Sequence, residues 1–596
     1  VTDPGILLIQ LPLHPGCAFE PTGNIPLAPG RIAAAGGLPA DSVLSCTAAD
    51  HWSDSEILSF VENARPSVIG FTLYMWNVER SVWLAGRIRR QVPGVFILGG
   101  GPEVSADNLW LRDAGAFDLL VAGEGEPFAE RIGETSTLRE TAGRLKGFLS
   151  TGRCSFPPDN WPDPYFTGHM ESASDLPAHV ETVRGCPHRC SYCSYRRICP
   201  DPREVPADRA LRILRMHRDA GRTEVVFLDP TLNGRHDLPA LLSGMKGLGL
   251  SCFGEVRAGT EDLDPAALAE AGFHSLEVGV QSLNRNALRA LGRPDDPERT
   301  IRGALALKEA GVEPVLDLIL GLPGDSPEGI VRAGERIRSL GLGENLQVFY
   351  LSVLPGTLLR TRAKKTGISH MNRPPYWVTS LPQFSMAHFS AAREELSSLL
   401  GYDLDMEPRP VLCDGWPGTG FLDLRLPSDP GIGGRHGVLR VTGGDVWSQR
   451  RRIVSAAAAR FERDPYCVLD VVLETERPFP LDLISMLSEI PRPLDYHDRT
   501  AAILGRSGRL RTSVIVRGCA DRGWLAACAG ETVTVVPLPP GVAPTESSFE
   551  DRLGVLLQGF HDLAALSGSL PDYREQVFFR NIEMERLWCL DVLELG

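Results

Sequence analysis

Three cysteines stand close together in this sequence, Cys186-x3-Cys190-x2-Cys193, within the run from Ala178 to Arg196. Three thiolates on one short loop can ligate three irons of a [4Fe–4S] cluster and leave the fourth iron open. A structural zinc site would want a fourth Cys or His at matching spacing; His188 lies inside the loop, and Cys199 stands six residues on. Cysteine is 13 of 596 residues, so this spacing arises by chance far less than once in such a chain. The other ten (Cys17, Cys46, Cys154, Cys199, Cys252, Cys413, Cys467, Cys519, Cys528 and Cys589) sit at unrelated spacings and read as small buried hydrophobes.

Nearer the start, three segments follow apolar runs: Tyr74-Met75-Trp76-Asn77, Gly99-Gly100-Gly101-Pro102-Glu103 and Gly123-Glu124-Gly125-Glu126. Consecutive glycines let a bulky ligand lie on the backbone, or simply make a tight turn. The triple glycine does not fit the dinucleotide pattern G-x-G-x-x-G, and it follows the fourth apolar run rather than the first.

Regular elements must position these residues. Apolar runs at Ile6–Leu13, Val43–Cys46, Val68–Met75, Val95–Leu98 and Asp118–Val121 alternate with helical stretches such as Glu56–Ala64 and Val78–Gln91. Strands alternating with helices imply a parallel, doubly wound sheet. Ligands in such a sheet bind past the carboxyl ends of its strands, where the segments above lie. A second series begins at the cysteines and continues through Val225–Leu228, Ser251–Val256, Ser275–Val280, Pro314–Leu320 and Leu346–Leu351. These make six β/α units, a partial parallel barrel with its site at the strands' carboxyl ends. Beyond about residue 375 the rhythm breaks. Strands are expected at Val438–Val441, Cys467–Leu473, Thr512–Val516 and Thr532–Val536, and helices at Gln449–Arg463 and Glu550–Leu570. The overall class is therefore α/β. It comprises a doubly wound Rossmann-like domain (1–135), a linker (136–175), a partial (β/α)6 barrel (176–375) and an α+β domain (376–596) that shapes the substrate pocket.

Composition narrows the partners. The chain is 43% hydrophobic and 23% charged, which is ordinary globular usage. Its net charge is −14 with no basic block, which argues against nucleic acid. No apolar run approaches the ~18 residues of a membrane span. The first residues show no basic stretch before an apolar segment, so a cytoplasmic protein without a signal peptide is expected.

With Tyr192 just before the last cysteine, and with the strand ends Gly254-Glu255-Val256-Arg257, Glu277-Val278-Gly279-Val280-Gln281-Ser282 and Asp317 to Gly324, the middle third resembles the radical S-adenosylmethionine (SAM) family. An α/β domain placed before such a barrel resembles the cobalamin-dependent (class B) branch. The resemblance covers residues 5 to 360. It implies that SAM chelates the open iron, that Glu255, Arg257 and Gln281 hold its carboxylate and ribose, and that Tyr192 and Tyr350 flank its adenine. It also implies that cobalamin is cradled by Tyr74, Trp76, Asn77, Gly99, Gly100, Gly101, Pro102, Glu103, Gly123, Glu124, Gly125 and Glu126. The cobalt-ligating motif D-x-H-x-x-G is absent from the first domain, whose histidines are His14 and His51. Cobalt without a protein nitrogen is thus expected, with Trp76 on its lower face.

The function implied is methyl transfer from SAM through methylcobalamin to a carbon of a specialised-metabolite substrate, an antibiotic or peptide natural product. An external donor of flavodoxin or ferredoxin type would supply electrons. A related variant methylates an sp² carbon without the deoxyadenosyl radical. Two rivals stay open: a cobalamin-dependent radical SAM enzyme without methyl transfer (ring contraction or oxidative cyclisation), and a cobalamin sensor or carrier.

Overall fold

The computed structural model describes residues 5–14, 17–20, 22–151, 160–170, 176–199, 201–404, 407–427, 429–518, 520–540, 542–558 and 561–593. Cys154 and Cys519 lie outside these. The chain forms two compact units. The first comprises Val1–Leu11, Ile25–Ser45 and Ala64–Asp405; the second comprises Pro12–Asn24, Cys46–Asn63 and Met406–Gly596.

In the first unit, β1 (Ile6–Gln10), β2 (Val68–Thr72), β3 (Phe96–Gly100), β4 (Leu119–Ala122) and β5 (Phe148–Ser150) form a parallel sheet in that order. On the far side of β1, Val43 makes an isolated parallel bridge to Leu8. Strand order therefore reverses between β1 and β2, as in a doubly wound sheet. The expected second strand shrinks to that bridge, because Cys46 already opens a helix, Cys46–His51. Helix Val78–Gln91 forms as expected, its buried stripe being Val78, Ser81, Leu84, Ala85 and Ile88. Ile6, Leu8, Val68, Phe96, Leu98, Leu119 and Val121 pack one sheet face. The expected linker is largely structured: it holds helix Thr135–Arg144 and β5.

The barrel follows. β6 (Ala178–Val180) leads to a short antiparallel hairpin of β7 (Val183–Arg184) and β8 (Arg203–Glu204), which closes the base of the cysteine loop. Then come β9 (Glu224–Phe227), β10 (Ser251–Val256), β11 (Phe273–Gln281), β12 (Glu313–Leu320) and β13 (Leu346–Tyr350). The sheet order β13-β12-β11-β10-β9-β6 is parallel throughout, so all six expected units are present. A hairpin, β14 (Ser369–His370) and β15 (Val378–Ser380), and helix Met386–Leu400 complete the unit.

The second unit corrects the expected α+β third domain. β16 (Thr419–Asp423), β17 (His436–Thr442), β18 (Val468–Thr475), β19 (Leu510–Val516), β20 (Val533–Pro537), β21 (Gly554–Leu557) and β22 (Val577–Phe579) form one seven-stranded parallel sheet in chain order. The expected helix Glu550–Leu570 is instead a 3-10 turn, then β21, then helix Leu563–Ser569. Asp495 caps helix Tyr496–Leu504, and Asp495 and Asp498 are buried against Arg509.

Candidate functional site

The cysteine loop is clamped at several points. Gly185 has φ +94°, and a Cβ there would stand 2.8 Å from the Cys199 carbonyl oxygen. Ser191 N–H donates to the Leu291 carbonyl (2.7 Å), and Leu359 N–H donates to that of Ser191 (2.8 Å). Cys186, Cys190 and Cys193 are free thiols and half-buried. Burial and the neighbouring Cys190 and Cys186 push the Cys193 thiol up to about 11, against a backbone hydrogen bond from Tyr195. Among the described residues, no three His, Cys, Asp or Glu converge to hold a single metal ion. Cluster ligands need not converge in that way, since each sulfur meets a different iron.

Along β10 to β12 three acids crowd together, Glu255 and Glu277 half-buried and Asp317 buried. Burial, with Glu277 and Asp229 near, pushes Glu255 up to about 7. Asp317 is 4% exposed, and its Oδ1 has no hydrogen-bond partner. Burial, with Glu277 and Glu255, pushes it up to about 9. Glu277 and Asp317 were not singled out as ligands from the sequence; the orphaned oxygen and the crowding of acids mark them here. Arg257 pairs with Asp295, and burial and Arg293 bring it down to about 10. Arg293 holds the Gly279 carbonyl and meets Asp295 at 3.0 Å. Gln281 ends β11 at φ +67°, where the register with β12 shifts. A non-glycine residue there costs of order 1–3 kcal/mol, and such strain collects at functional sites. The Tyr192 hydroxyl is buried, with the Arg293 guanidinium beside it. Tyr350 is instead committed to packing: its ring lies 4.6 Å from Trp377, with Arg393 over it at 5.4 Å. The crowded acids, one with an unpartnered oxygen, and the strained Gln281 at the end of β11 fit a cationic, hydrogen-bonding ligand such as SAM.

At the strand ends of the first sheet the glycines sort by cause. A Cβ on Gly99 would meet Leu120 Cδ2 at 2.8 Å and Leu73 Cδ1 at 2.9 Å. On Gly101 (φ +110°) it would meet the Leu73 carbonyl oxygen at 2.7 Å, and on Gly123 (φ +102°) Thr151 Oγ1 at 2.7 Å. On Gly125 it would meet Ile32 Cδ1 at 2.8 Å. Gly101 and Gly123 are required by the backbone they face, whereas at Gly99 and Gly125 side-chain tips would have to move. Gly100 has neither constraint: the nearest atom to its Cβ is Val121 O at 3.8 Å. Open space beside a glycine at a strand end fits a broad ligand such as a corrin. Tyr74 and Trp76 stack face to face at 4.6 Å and 3°, both half-buried.

Several residues expected to meet cobalamin have protein partners. Asn77 is 1% exposed and serves the backbone: its Oδ1 accepts from Tyr74 N–H (2.9 Å) and its Nδ2 donates to Leu11 O (2.9 Å). The Pro102 carbonyl accepts from Arg197 (2.7 Å). Glu103 accepts from the Tyr376 hydroxyl at 2.5 Å and from Asn108 at 3.1 Å, and burial pushes it up to about 7 despite them. Glu124 pairs with Arg203, and Glu126 accepts from Arg184 at 2.7 Å. Their carboxylates are taken by protein partners.

Comparison with known proteins agrees with this geometry. Residues 40–132 match the B12 binding domain, and residues 180–337 match the Radical SAM superfamily. An uncharacterized methyltransferase of Pyrococcus horikoshii, PH0819, is 25% identical over 395 residues, covering 62% of this chain and 85% of that one. The 2-(S-pantetheinyl)-carbapenam-3-carboxylate methyltransferase of Streptantibioticus cattleyicolor is 23% identical over 337 residues, and the match spans 51% of this chain and 49% of that protein. The solved structure of the radical SAM methyltransferase TsrM from Kitasatospora setae, with cobalamin and a [4Fe–4S] cluster bound, shares the fold. Its TM-score is 0.51 at 16% identity, covering 69% of this chain and 92% of that one. A B12 binding domain and a radical SAM domain thus stand in one chain, which is similar to cobalamin-dependent radical SAM methyltransferases, and the cofactors such domains take are a [4Fe–4S] cluster, SAM and cobalamin.

Proposed function

We propose that the protein transfers a methyl group from SAM, by way of cobalamin, to a carbon of a specialised-metabolite substrate, an antibiotic or peptide natural product. The observation that carries this reading is the meeting, within one compact unit, of an open Gly100 edge and a barrel in which the acids Glu255, Glu277 and Asp317 crowd together. The carbapenam-acting relative supports a substrate of antibiotic type.

The bound cofactors supply the electron relay, the radical chemistry and the methyl carrier. The chain's own residues do the rest. Cys186, Cys190 and Cys193 would hold three irons and leave the fourth for SAM. Glu255, Gln281 and Asp317 would orient SAM, the two carboxylates matching its positive charge. Gly100 would let the corrin lie against β3, with the Tyr74–Trp76 stack bounding it. A flavodoxin- or ferredoxin-type protein would reduce the cluster.

Product analysis of the reconstituted holoenzyme with methyl-labelled SAM and a strong reductant tests the proposal. S-adenosylhomocysteine carrying no label, with the labelled methyl group on cobalamin, is expected. Formation of 5′-deoxyadenosine with no S-adenosylhomocysteine would instead assign the protein to chemistry without methyl transfer.

A further inference from the structure

The two glutamates that look like cofactor ligands in the sequence, Glu124 and Glu126 after β4, enter a buried ionic knot. Arg184 Nη1 donates to Glu126 Oε1 at 2.7 Å and stands 3.7 Å from Glu124 Oε2. The other edge of the same guanidinium is bidentate on Glu181, with Nε to Oε1 at 2.9 Å and Nη2 to Oε2 at 2.8 Å. Arg31, from helix Leu27–Ala35, meets Glu181 at 3.0 Å, and Arg203 pairs with Glu124. All three guanidinium groups lie over the indole of Trp161, at 5.9, 4.7 and 5.3 Å for Arg31, Arg184 and Arg203. Trp161 is buried, as are Arg31, Arg203, Glu124 and Glu126.

The place of this knot in the chain matters more than its strength. Arg184 and Arg203 face each other across the β7–β8 hairpin at the base of the cysteine loop. One residue separates Arg184 from Cys186, and that residue, Gly185, packs against Cys199 with no room for a side chain. Arg184 therefore grips the strand-end loop of the B12-binding sheet with one face and stands at the root of the cluster loop. Planar two-sided recognition of this kind is specific to arginine; lysine keeps the charge but not the fork.

We infer that Arg184 is a positioning residue that sets the separation between the cluster and cobalamin. The inference rests on the cofactor placement proposed above. The reaction needs both cofactors to address one substrate carbon, and a misplacement of about 1 Å is costly to such chemistry. The knot fixes that distance through the protein, away from the reacting atoms.

The test uses holoenzyme poised with cobalt as Co(II) and the cluster reduced by one electron. The magnetic dipolar interaction between them falls with the cube of their separation. In Arg184→Lys, and separately in Glu126→Ala, which leaves the Arg184–Glu181 pair intact, iron and cobalamin contents should stay within about twofold of the unmodified protein. The dipolar interaction should weaken or broaden in both, corresponding to a displacement of about 1 Å. Unchanged dipolar spectra in folded, cofactor-replete variants would overturn the inference, as would lower melting temperatures with unchanged spectra, which mark a purely structural knot. Should Arg184→Lys fail to fold, Glu126→Ala alone decides. An unmodified protein that binds both cofactors yet shows no dipolar interaction would refute the cofactor placement itself, a result distinct from either.

Discussion

The three consecutive glycines allow stability and cofactor binding to be separated by single methyl groups. At Gly101 a methyl would meet backbone atoms of Leu73, at 2.7 Å and 2.9 Å, on a residue with φ +110°. Left-handed backbone costs roughly 1–2 kcal/mol for an L-residue, and overpacking adds about 1–3 kcal/mol. Gly101→Ala should therefore lose about 2–5 kcal/mol of domain stability. At Gly99 the obstacles are two leucine tips, which can shift, so Gly99→Ala should cost about 1–3 kcal/mol. At Gly100 nothing lies nearer than 3.8 Å, and alanine narrows the unfolded ensemble, a gain of about 0.4–1 kcal/mol. If a corrin occupies that space, the same methyl overpacks it by about 1–3 kcal/mol, a loss in affinity of roughly 5- to 150-fold. Thermal melting of the cofactor-free variants, with spectral titration by hydroxocobalamin, gives both quantities. Gly100→Ala should melt no lower than the parent yet bind cobalamin more weakly. Parental affinity in Gly100→Ala, and still in Gly100→Val, would show that the corrin does not lie on this edge.

Replacing Cys186, Cys190 and Cys193 together by Ala should abolish thiolate-to-iron charge-transfer absorption and SAM cleavage while cobalamin still binds; retained iron and activity would refute the cluster assignment. Paramagnetic resonance of the Co(II) form should show no nitrogen superhyperfine splitting, since the cobalt-ligating histidine motif is missing; a resolved splitting would reveal an axial base. Trp76→Ala and, more strongly, Trp76→His should keep both cofactors but raise 5′-deoxyadenosine formed per methyl transferred, because imidazole is a good metal donor; unchanged coupling would make Trp76 ordinary packing. Glu255 stands at about 7 and Asp317 at about 9 in the ligand-free protein. A cation favours their ionised forms, so SAM binding should release protons and tighten as pH rises from about 7 to 9; calorimetry in buffers of different ionisation enthalpy measures this, and no proton release would count against these acids.

The parts legible in the sequence were those with local signatures. The cysteine spacing needs no fold to be read, and six β/α units show as apolar runs separated by amphipathic stretches. The roles of Glu103, Glu124 and Glu126 were hidden because their partners lie far along the chain. Tyr376 is 273 residues from Glu103, Arg203 is 79 from Glu124, and Arg184 is 58 from Glu126. A glutamate beside a strand-end glycine looks the same whether it meets a ligand or an arginine. The parallel sheet of the second unit escaped for two reasons. β21 and β22 are only four and three residues long, and buried charges interrupt the apolar runs elsewhere. All eight residues of β18 are buried, yet Asp470 and Glu474 stand among them, paired with Arg511 and His436 and with Arg517 and Arg580.

Balance of buried charge, rather than its presence, separates structure from function in the first unit. The Trp161 knot sets three arginines against three glutamates, and Arg184 meets all of the latter. Such a cluster is self-sufficient, and no ligand is needed to offset its desolvation. The barrel mouth is different. Arg257 and Arg293 both spend contacts on Asp295, while Glu277 raises the proton affinity of Glu255 and of Asp317. Buried carboxylates without enough counter-charge hold protons instead, or await a cation. A sulfonium bearing an ammonium group has the charge to relieve them, and an arginine at the same place would have closed the site. Glu124 and Glu126, singled out in the sequence beside their glycines, lie in the balanced cluster; Glu255, also singled out there, lies with Glu277 and Asp317 in the unbalanced one.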